Sequence, residues 1–261
     1  MYKFVIGLMV ALSCLCISRA LAKNTNSNAG AQTPGESATG NHSPVHPAGT
    51  ETTISPNALL QYQQAVRELH LGQSISAEKD AMRAIHLDPE FADAEALAAT
   101  AALQQKQFDR AHQEASDAVR TDPSDEKAWV ILATAENYLG EYADAAIALG
   151  HVQQQDQATW QVAYEWARAE AGQNHAQSAL EWSNRSALTA PPTFAPLHLL
   201  RASALLAINQ NALAADELET YLSLLGANAP ERAQLAQELL RIRAAAQSVN
   251  AGVTEYNALA N

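Results

Sequence analysis

Small and apolar residues recur at a fixed interval of 34 positions through most of the chain. Three series show this: Ala65, Ala99, Ala133 and Ala167; Ala77, Ala111, Ala145 and Ala179; and Ala84, Ala118, Val152 and Ser186. A fourth series puts a helix breaker at one phase in three of four places: Pro89, Pro123, Gln157 and Pro191. Such a period indicates an array of helix pairs, each burying its apolar face by stacking on its neighbours.

The small residues have a physical purpose in such an array. Where two helices cross closely, only a hydrogen or a methyl group fits between the backbones, and alanine also has the highest helix propensity. Proline disfavours the helical conformation in the residue before it, so the Asp-Pro steps at 88–89 and 122–123 end a second helix. Each unit is therefore predicted to be two helices followed by a turn.

The pattern resembles the tetratricopeptide repeat (TPR), which runs W-x2-L-G-x2-Y, then A-x3-F, then P. The third unit matches best, with Trp129, Leu132, Ala133, Gly140, Tyr142, Ala145 and Leu149, and it departs only at Glu136, where tyrosine is usual. The second unit supplies Phe108, Ala111, Ala115, Ala118 and Pro123, and the first supplies Gly72, Ala77, Ala81, Ala84 and Pro89. The resemblance implies an all-α, right-handed superhelical solenoid.

About five units are expected, followed by a cap. The predicted units are 58–91, 92–125, 126–159, 160–193 and 195–226, within a repeat region of 57–226. The fifth fits through Ala202, Asn209, Ala214, Leu218 and Tyr221 only if one residue is inserted before it. A capping helix is predicted over 227–248, because Leu235, Leu239, Ile242 and Ala246 follow helical spacing. Residues 249–261 are predicted to be a flexible tail.

The first 22 residues are typical of a secretory signal peptide: Lys3, an apolar run, then Ala20, Leu21 and Ala22 as a cleavage site. An alternative is a lipoprotein box ending at Cys14, which would tether the chain to a membrane. Both cysteines, Cys14 and Cys16, lie inside this segment, so cleavage leaves no thiol for a disulfide. Residues 23–56 are rich in small polar residues and are predicted to be a disordered linker.

Charge and missing motifs exclude several classes of function. The net charge of −12 and the few, dispersed basic residues argue against nucleic acid as a ligand. The sequence has no H-E-x-x-H, glycine-rich phosphate loop or G-x-S-x-G motif, and its histidines are scattered. We therefore expect no catalytic residues, no metal site and no cofactor.

The resemblance implies that the first helices of the units line a groove that holds a partner's peptide or helix. Ten groove residues are predicted: Tyr62, Val66, Thr100, Lys127, Val130, Thr134, Asn137, Tyr138, Tyr164 and Arg168. The lysine, arginine and asparagine residues are too few for the terminal-carboxylate clamp of cochaperone relatives. Tyrosines and aliphatic residues dominate, so a partner segment of mixed apolar and polar character is expected.

These patterns predict an exported, non-enzymatic protein interaction scaffold or adaptor, either periplasmic or secreted. The alternative is a lipoprotein subunit of an envelope, pilus or secretion assembly, membrane-bound only if Cys14 is lipidated. The sequence does not identify the partner or the oligomeric state.

Overall fold

The computed structural model describes residues 54–153 and 159–259, with side chains as far as residue 248. These residues contain eleven α-helices and no strand. The helices are α1 Pro56–His70, α2 Ser74–Leu87, α3 Ala92–Gln104, α4 Phe108–Thr121, α5 Glu126–Leu139, α6 Tyr142–Leu149, α7 Trp160–Gly172, α8 Ala176–Ala187, α9 Ala195–Ala207, α10 Asn211–Leu224 and α11 Arg232–Leu259. The all-α prediction is confirmed.

The first ten helices form five consecutive pairs, each joined by a short turn and packed together. Four of the predicted units begin where a first helix begins, at residues 92, 126, 160 and 195. Helix α1 begins at Pro56, and contacts start before it: Ile54 packs on the first core cluster and the Ser55 N–H donates to Asp88 Oδ2 at 3.1 Å. Ordered structure therefore begins within the segment predicted to be a linker.

The chain divides into two compact units at residues 153 and 154. The N-terminal unit contains α1–α6, and the C-terminal unit contains α7–α11. The predicted signal peptide, most of the linker and Gln157 lie outside the described residues. No helix in the described part of the chain is both long enough and apolar enough to cross a bilayer.

One residue between the two helices of each pair has a positive φ angle. These residues are Gly72 at 73°, Lys106 at 62°, Gly140 at 85°, Asn174 at 65° and Asn209 at 62°. The next residue donates its N–H to a carbonyl five positions earlier: Gln73 to Glu68, Gln107 to Ala102, Glu141 to Glu136, His175 to Glu170 and Gln210 to Leu205, at 2.9–3.0 Å. This Schellman-type closure ends every first helix in the same way.

The small residues of the three 34-residue series are all buried. Ten of the twelve are alanines with no exposed surface, Ser186 is also 0% exposed and Val152 is 3% exposed. Ala65, Ala81 and Ala98, from α1, α2 and α3, form one contact cluster, and Ala102, Ala111 and Ala135 form the next. The predicted close helix crossings are confirmed, since clusters of this kind join one pair to the next.

The capping helix packs as a further first helix would. Leu235, Leu239 and Ile242 of α11 share a core cluster with Leu218 and Tyr221 of α10. Their 4-3 spacing repeats that of the α3 residues Ala94, Ala98 and Ala101, which are also fully buried. The helix continues to Leu259, past the predicted end of the cap at 248 and into the predicted tail. No proline interrupts residues 231–259, so the sequence holds no strong helix breaker in this stretch.

Candidate functional site

The first helices of neighbouring pairs lie against one another. In the N-terminal unit α3 contacts both α1 and α5, and in the C-terminal unit α7 contacts α9. The predicted groove residues on α1, α3 and α5 therefore belong to one layer of the N-terminal unit. We call that layer the N-terminal face: Tyr62, Val66, Thr100, Lys127, Val130, Thr134, Asn137 and Tyr138. The other two, Tyr164 and Arg168, lie on α7.

Solvent access differs among these ten residues. Lys127 is exposed, and Tyr62, Val66, Thr100, Val130 and Tyr138 are half-buried. Thr134, Asn137, Tyr164 and Arg168 are buried. A ligand can reach the exposed and half-buried side chains directly, whereas the buried four need local movement or act as support. Contact with a partner stays a prediction for all ten.

Two threonines on the N-terminal face lie 34 residues apart and make the same internal bond. The Thr100 hydroxyl donates to the Ala96 carbonyl at 2.9 Å, and the Thr134 hydroxyl donates to the Val130 carbonyl at 2.8 Å. Each hydroxyl proton is used within its own helix, so the oxygen is left with acceptor capacity. The half-buried Thr100 can accept a hydrogen bond from a ligand directly, whereas the buried Thr134 first needs local movement.

Each of the three predicted groove tyrosines packs on a phenylalanine. The ring centroids are 5.0 Å apart for Tyr62 and Phe91, 4.4 Å for Tyr138 and Phe108, and 5.0 Å for Tyr164 and Phe194. Phe91 and Phe194 come from the turns that follow Pro89 and Pro191. The sequence reasoning missed these three contacts, although they use every phenylalanine after the predicted signal peptide. Each tyrosine ring is therefore packed against a second aromatic ring on one side.

The α1 end of the N-terminal face is acidic. Burial raises the pKa of Tyr62, and the nearby carboxylates of Asp93 and Asp125 raise it further. Asp125 caps α5, since its Oδ1 accepts the Lys127 N–H at 2.9 Å. Two carboxylates close to the tyrosine favour a cationic ligand group over an anionic one.

Arg168 is engaged within the C-terminal unit. Its Nη1 donates to both carboxylate oxygens of Glu165, at 2.9 and 3.3 Å, and both side chains are 8% exposed. Its guanidinium carbon also lies 6.0 Å from the Tyr164 ring centroid. Because its guanidinium is already paired with the buried carboxylate of Glu165, Arg168 is poorly placed to bind the carboxylate of a ligand as well.

The four tryptophans all make ring contacts. Trp129 stacks on His151 with centroids 3.8 Å apart, and its Nε1 donates to the Pro123 carbonyl at 2.9 Å. Trp166 stacks on Trp182 at 5.2 Å, and Trp160 lies 4.8 Å from Phe194. All four rings therefore pack against other aromatic side chains.

Comparison by sequence gives no match: no protein-family model and no curated protein matches the chain. Solved structures match with a probability of 1.00. The structure of MamA from Desulfovibrio magneticus RS-1, from residue 41 to its end, is 15% identical with a TM-score of 0.56, over 66% of this chain and 96% of that one.

Two further solved structures are named as TPR proteins. YrrB, described as having an unusual peptide-binding site, is 14% identical with a TM-score of 0.54, over 69% of this chain and 92% of its own. A thermophilic TPR protein of Thermus thermophilus, TTC0263, is 15% identical with a TM-score of 0.52, over 71% of this chain and 98% of its own. With five helix pairs in the described residues, these matches establish the TPR fold.

Proposed function

We propose that this chain is a non-enzymatic scaffold whose N-terminal face binds a segment of another protein. The observation that carries the proposal is the layer of first helices, on which half-buried Tyr62, Val66, Thr100 and Val130 are available from three adjacent helices. Such side chains offer apolar contact area and hydrogen-bond capacity at low entropic cost. The peptide-binding site named for YrrB, a protein of similar fold, supports the same use here.

The charge of the N-terminal face supports a proposal about the partner's chemistry. Asp93 and Asp125 lie near Tyr62, and the whole chain has a net charge of −12. A segment with apolar anchors and at least one lysine or arginine complements this surface. Export is part of the proposal and rests on the signal-like residues 1–22.

The test is a selection of random displayed peptides on the chain from Lys23 onward, the start that a mass measurement of the exported protein should give. We expect enriched peptides with apolar and basic residues. Replacing Tyr62 with alanine should weaken their binding by about tenfold, the loss of roughly 1.4 kcal/mol typical of an interface anchor.

The matched control is Ile75→Ala, which removes an apolar side chain that is 74% exposed on α2, outside the first-helix layer. This variant should bind the selected peptides as the parent does. Peptides that bind equally well to parent, Tyr62→Ala and Ile75→Ala proteins would place the binding surface elsewhere and contradict the proposal.

A further inference from the structure

Two joints in the N-terminal unit can be compared position by position. Joint 1/2 is where α2 meets the second pair, and joint 2/3 is where α4 meets the third pair. At joint 1/2 the buried Glu78 of α2 is bound from the next repeat: Arg110 Nη1 lies 2.8 Å from Oε1, and Gln105 Nε2 donates to Oε2 at 2.6 Å. This carboxylate has a permanent cation beside it.

Joint 2/3 has the opposite arrangement of charges. The positions 34 residues after Glu78 and Arg110 are His112 and Asp144, so an acid is replaced by a histidine and an arginine by an acid. A new carboxyl group, Glu136, stands where the preceding repeat has Ala102. It is 6% exposed, and its Oε1 lies 3.8 Å from His112 Nε2.

The charged groups around Glu136 come from two of the helices packed on α5, namely α4 and α6. His112 approaches from α4, and Glu141 and Asp144 act from the start of α6. Burial raises the pKa of Glu136 to about 7, and the two acids add to the rise in that order, Asp144 before Glu141. Glu136 Oε2 is buried and has no hydrogen-bond partner among the described residues. The His112 side chain is 38% exposed, so protons reach the joint.

We propose that joint 2/3 is proton-sensitive, closed below neutral pH and weakened as the pH rises through neutrality. In acid, a proton on Glu136 removes the repulsion between this buried carboxylate and the carboxylates of Glu141 and Asp144. In base, Glu136, Glu141 and Asp144 are all negative, and joint 2/3 has no counterpart of Arg110 at the equivalent position. Because Glu136 directly precedes Asn137 and Tyr138, the change acts on the α5 part of the N-terminal face.

The direction follows from linkage between protonation and folding. A carboxyl group with a pKa of about 7 in the folded chain, against a usual 4.5, holds its proton more tightly when folded. Its contribution to stability is complete below the unfolded pKa and is lost as the pH rises through the folded pKa. Between pH 6 and pH 8 the unfolding equilibrium constant should therefore rise about tenfold from this group alone.

The experiment measures urea unfolding of the chain from Lys23 onward at pH 6 and pH 8, with amide hydrogen exchange as the local measurement. Glu136→Gln keeps the shape of the side chain and removes its titration. In this variant the unfolding equilibrium constant should not show the tenfold rise between pH 6 and pH 8 that we expect in the parent. Exchange in α4 and α5, corrected for the intrinsic effect of pH, should rise with pH in the parent and much less in the variant.

Two further variants keep the result unambiguous. Glu136→Ala gives joint 2/3 the residue that joint 1/2 has at Ala102, and it should also remove the tenfold change if the glutamine variant folds poorly. Glu78→Gln breaks the pair with Arg110 at joint 1/2 and should destabilise the chain equally at both pH values. If parent and Glu136 variants respond to pH alike, the proposal is overturned.

Discussion

The pair Tyr62–Phe91 in the N-terminal unit and the pair Tyr164–Phe194 in the C-terminal unit occupy equivalent repeat positions, yet only one tyrosine is open to solvent. Tyr62 is half-buried, whereas Tyr164 is 2% exposed. The two ring centroid distances are the same, 5.0 Å. The aromatic contact itself therefore does not decide whether a groove position can meet a ligand.

The difference lies in the neighbours. Position 58 is an alanine, and the equivalent position 160 is a tryptophan whose ring lies 4.8 Å from Phe194. Position 66 is a valine, and the equivalent Arg168 lies 6.0 Å from the Tyr164 ring. The larger side chains of Trp160 and Arg168 therefore cover Tyr164, which we call the closed tyrosine. Tyr62, beside Ala58 and Val66, is the open one. Repeat phase determines which residues meet, and the size of the adjacent residues determines what remains exposed.

The largest effect should come from removing the closed tyrosine. Tyr164→Ala leaves a cavity beside Phe194 and should cost about 3–4 kcal/mol of unfolding free energy. Tyr62→Ala removes a half-buried ring and should cost about 1–2 kcal/mol. Urea unfolding of both variants measures the gap, with the two tyrosine-to-phenylalanine changes as controls that preserve the ring packing. Equal losses at positions 62 and 164 would remove the distinction between an open and a closed pair.

An intermediate effect is expected from making the closed pair resemble the open one. Trp160→Ala gives position 160 the residue found at position 58 and should cost about 1–2 kcal/mol. It should also expose Tyr164, so that its nitration by tetranitromethane, followed by mass spectrometry, approaches that of Tyr62. Trp129→Ala, in the N-terminal unit, is the control and should leave Tyr164 protected. Continued protection in Trp160→Ala would mean that another group covers the ring.

The smallest effect concerns the turns, where the repeats differ in residue type at the same backbone conformation. Lys106 has a φ of 62° at the position that glycine occupies in the first and third pairs. Lys106→Gly relieves a left-handed lysine and should stabilise the chain by about 0.5–1 kcal/mol. Lys79→Gly, on the exposed surface of α2, is the matched control and should cost about 1 kcal/mol. Thermal melts should show a higher melting temperature than the parent for Lys106→Gly and a lower one for Lys79→Gly. A lower melting temperature for Lys106→Gly would show that the left-handed lysine carries negligible strain.

The sequence predicted the helix pairs and the buried small residues because both follow from the 34-residue period of the repeat. It also located the one-residue insertion near the fifth unit, which the left-handed turn residues show, since Asn209 follows Asn174 by 35 positions. The phenylalanine partners were missed because each contact joins residues about 30 positions apart through a turn. The position of each phenylalanine ring depends on the geometry of the turn near it, which the 34-residue spacing does not specify.

The candidate site was predictable only in outline. Groove positions follow from the repeat, but the burial of Thr134 and Tyr164 depends on neighbouring side chains. Glu136 was visible in the sequence only as a departure from tyrosine. Its proximity to His112 appears once helices from two repeats are placed side by side.

The way in which α11 packs has a consequence for the length of the array. Leu235, Leu239 and Ile242 lie on α10 with the spacing that first helices use on the preceding pair. The cap is matched to this last pair, because Tyr221 of α10 stands where the earlier units have Ala84, Ala118, Val152 and Ser186. Removal of the last pair would therefore leave α11 facing a smaller side chain at that position, so the number of repeats is tied to the terminal helix.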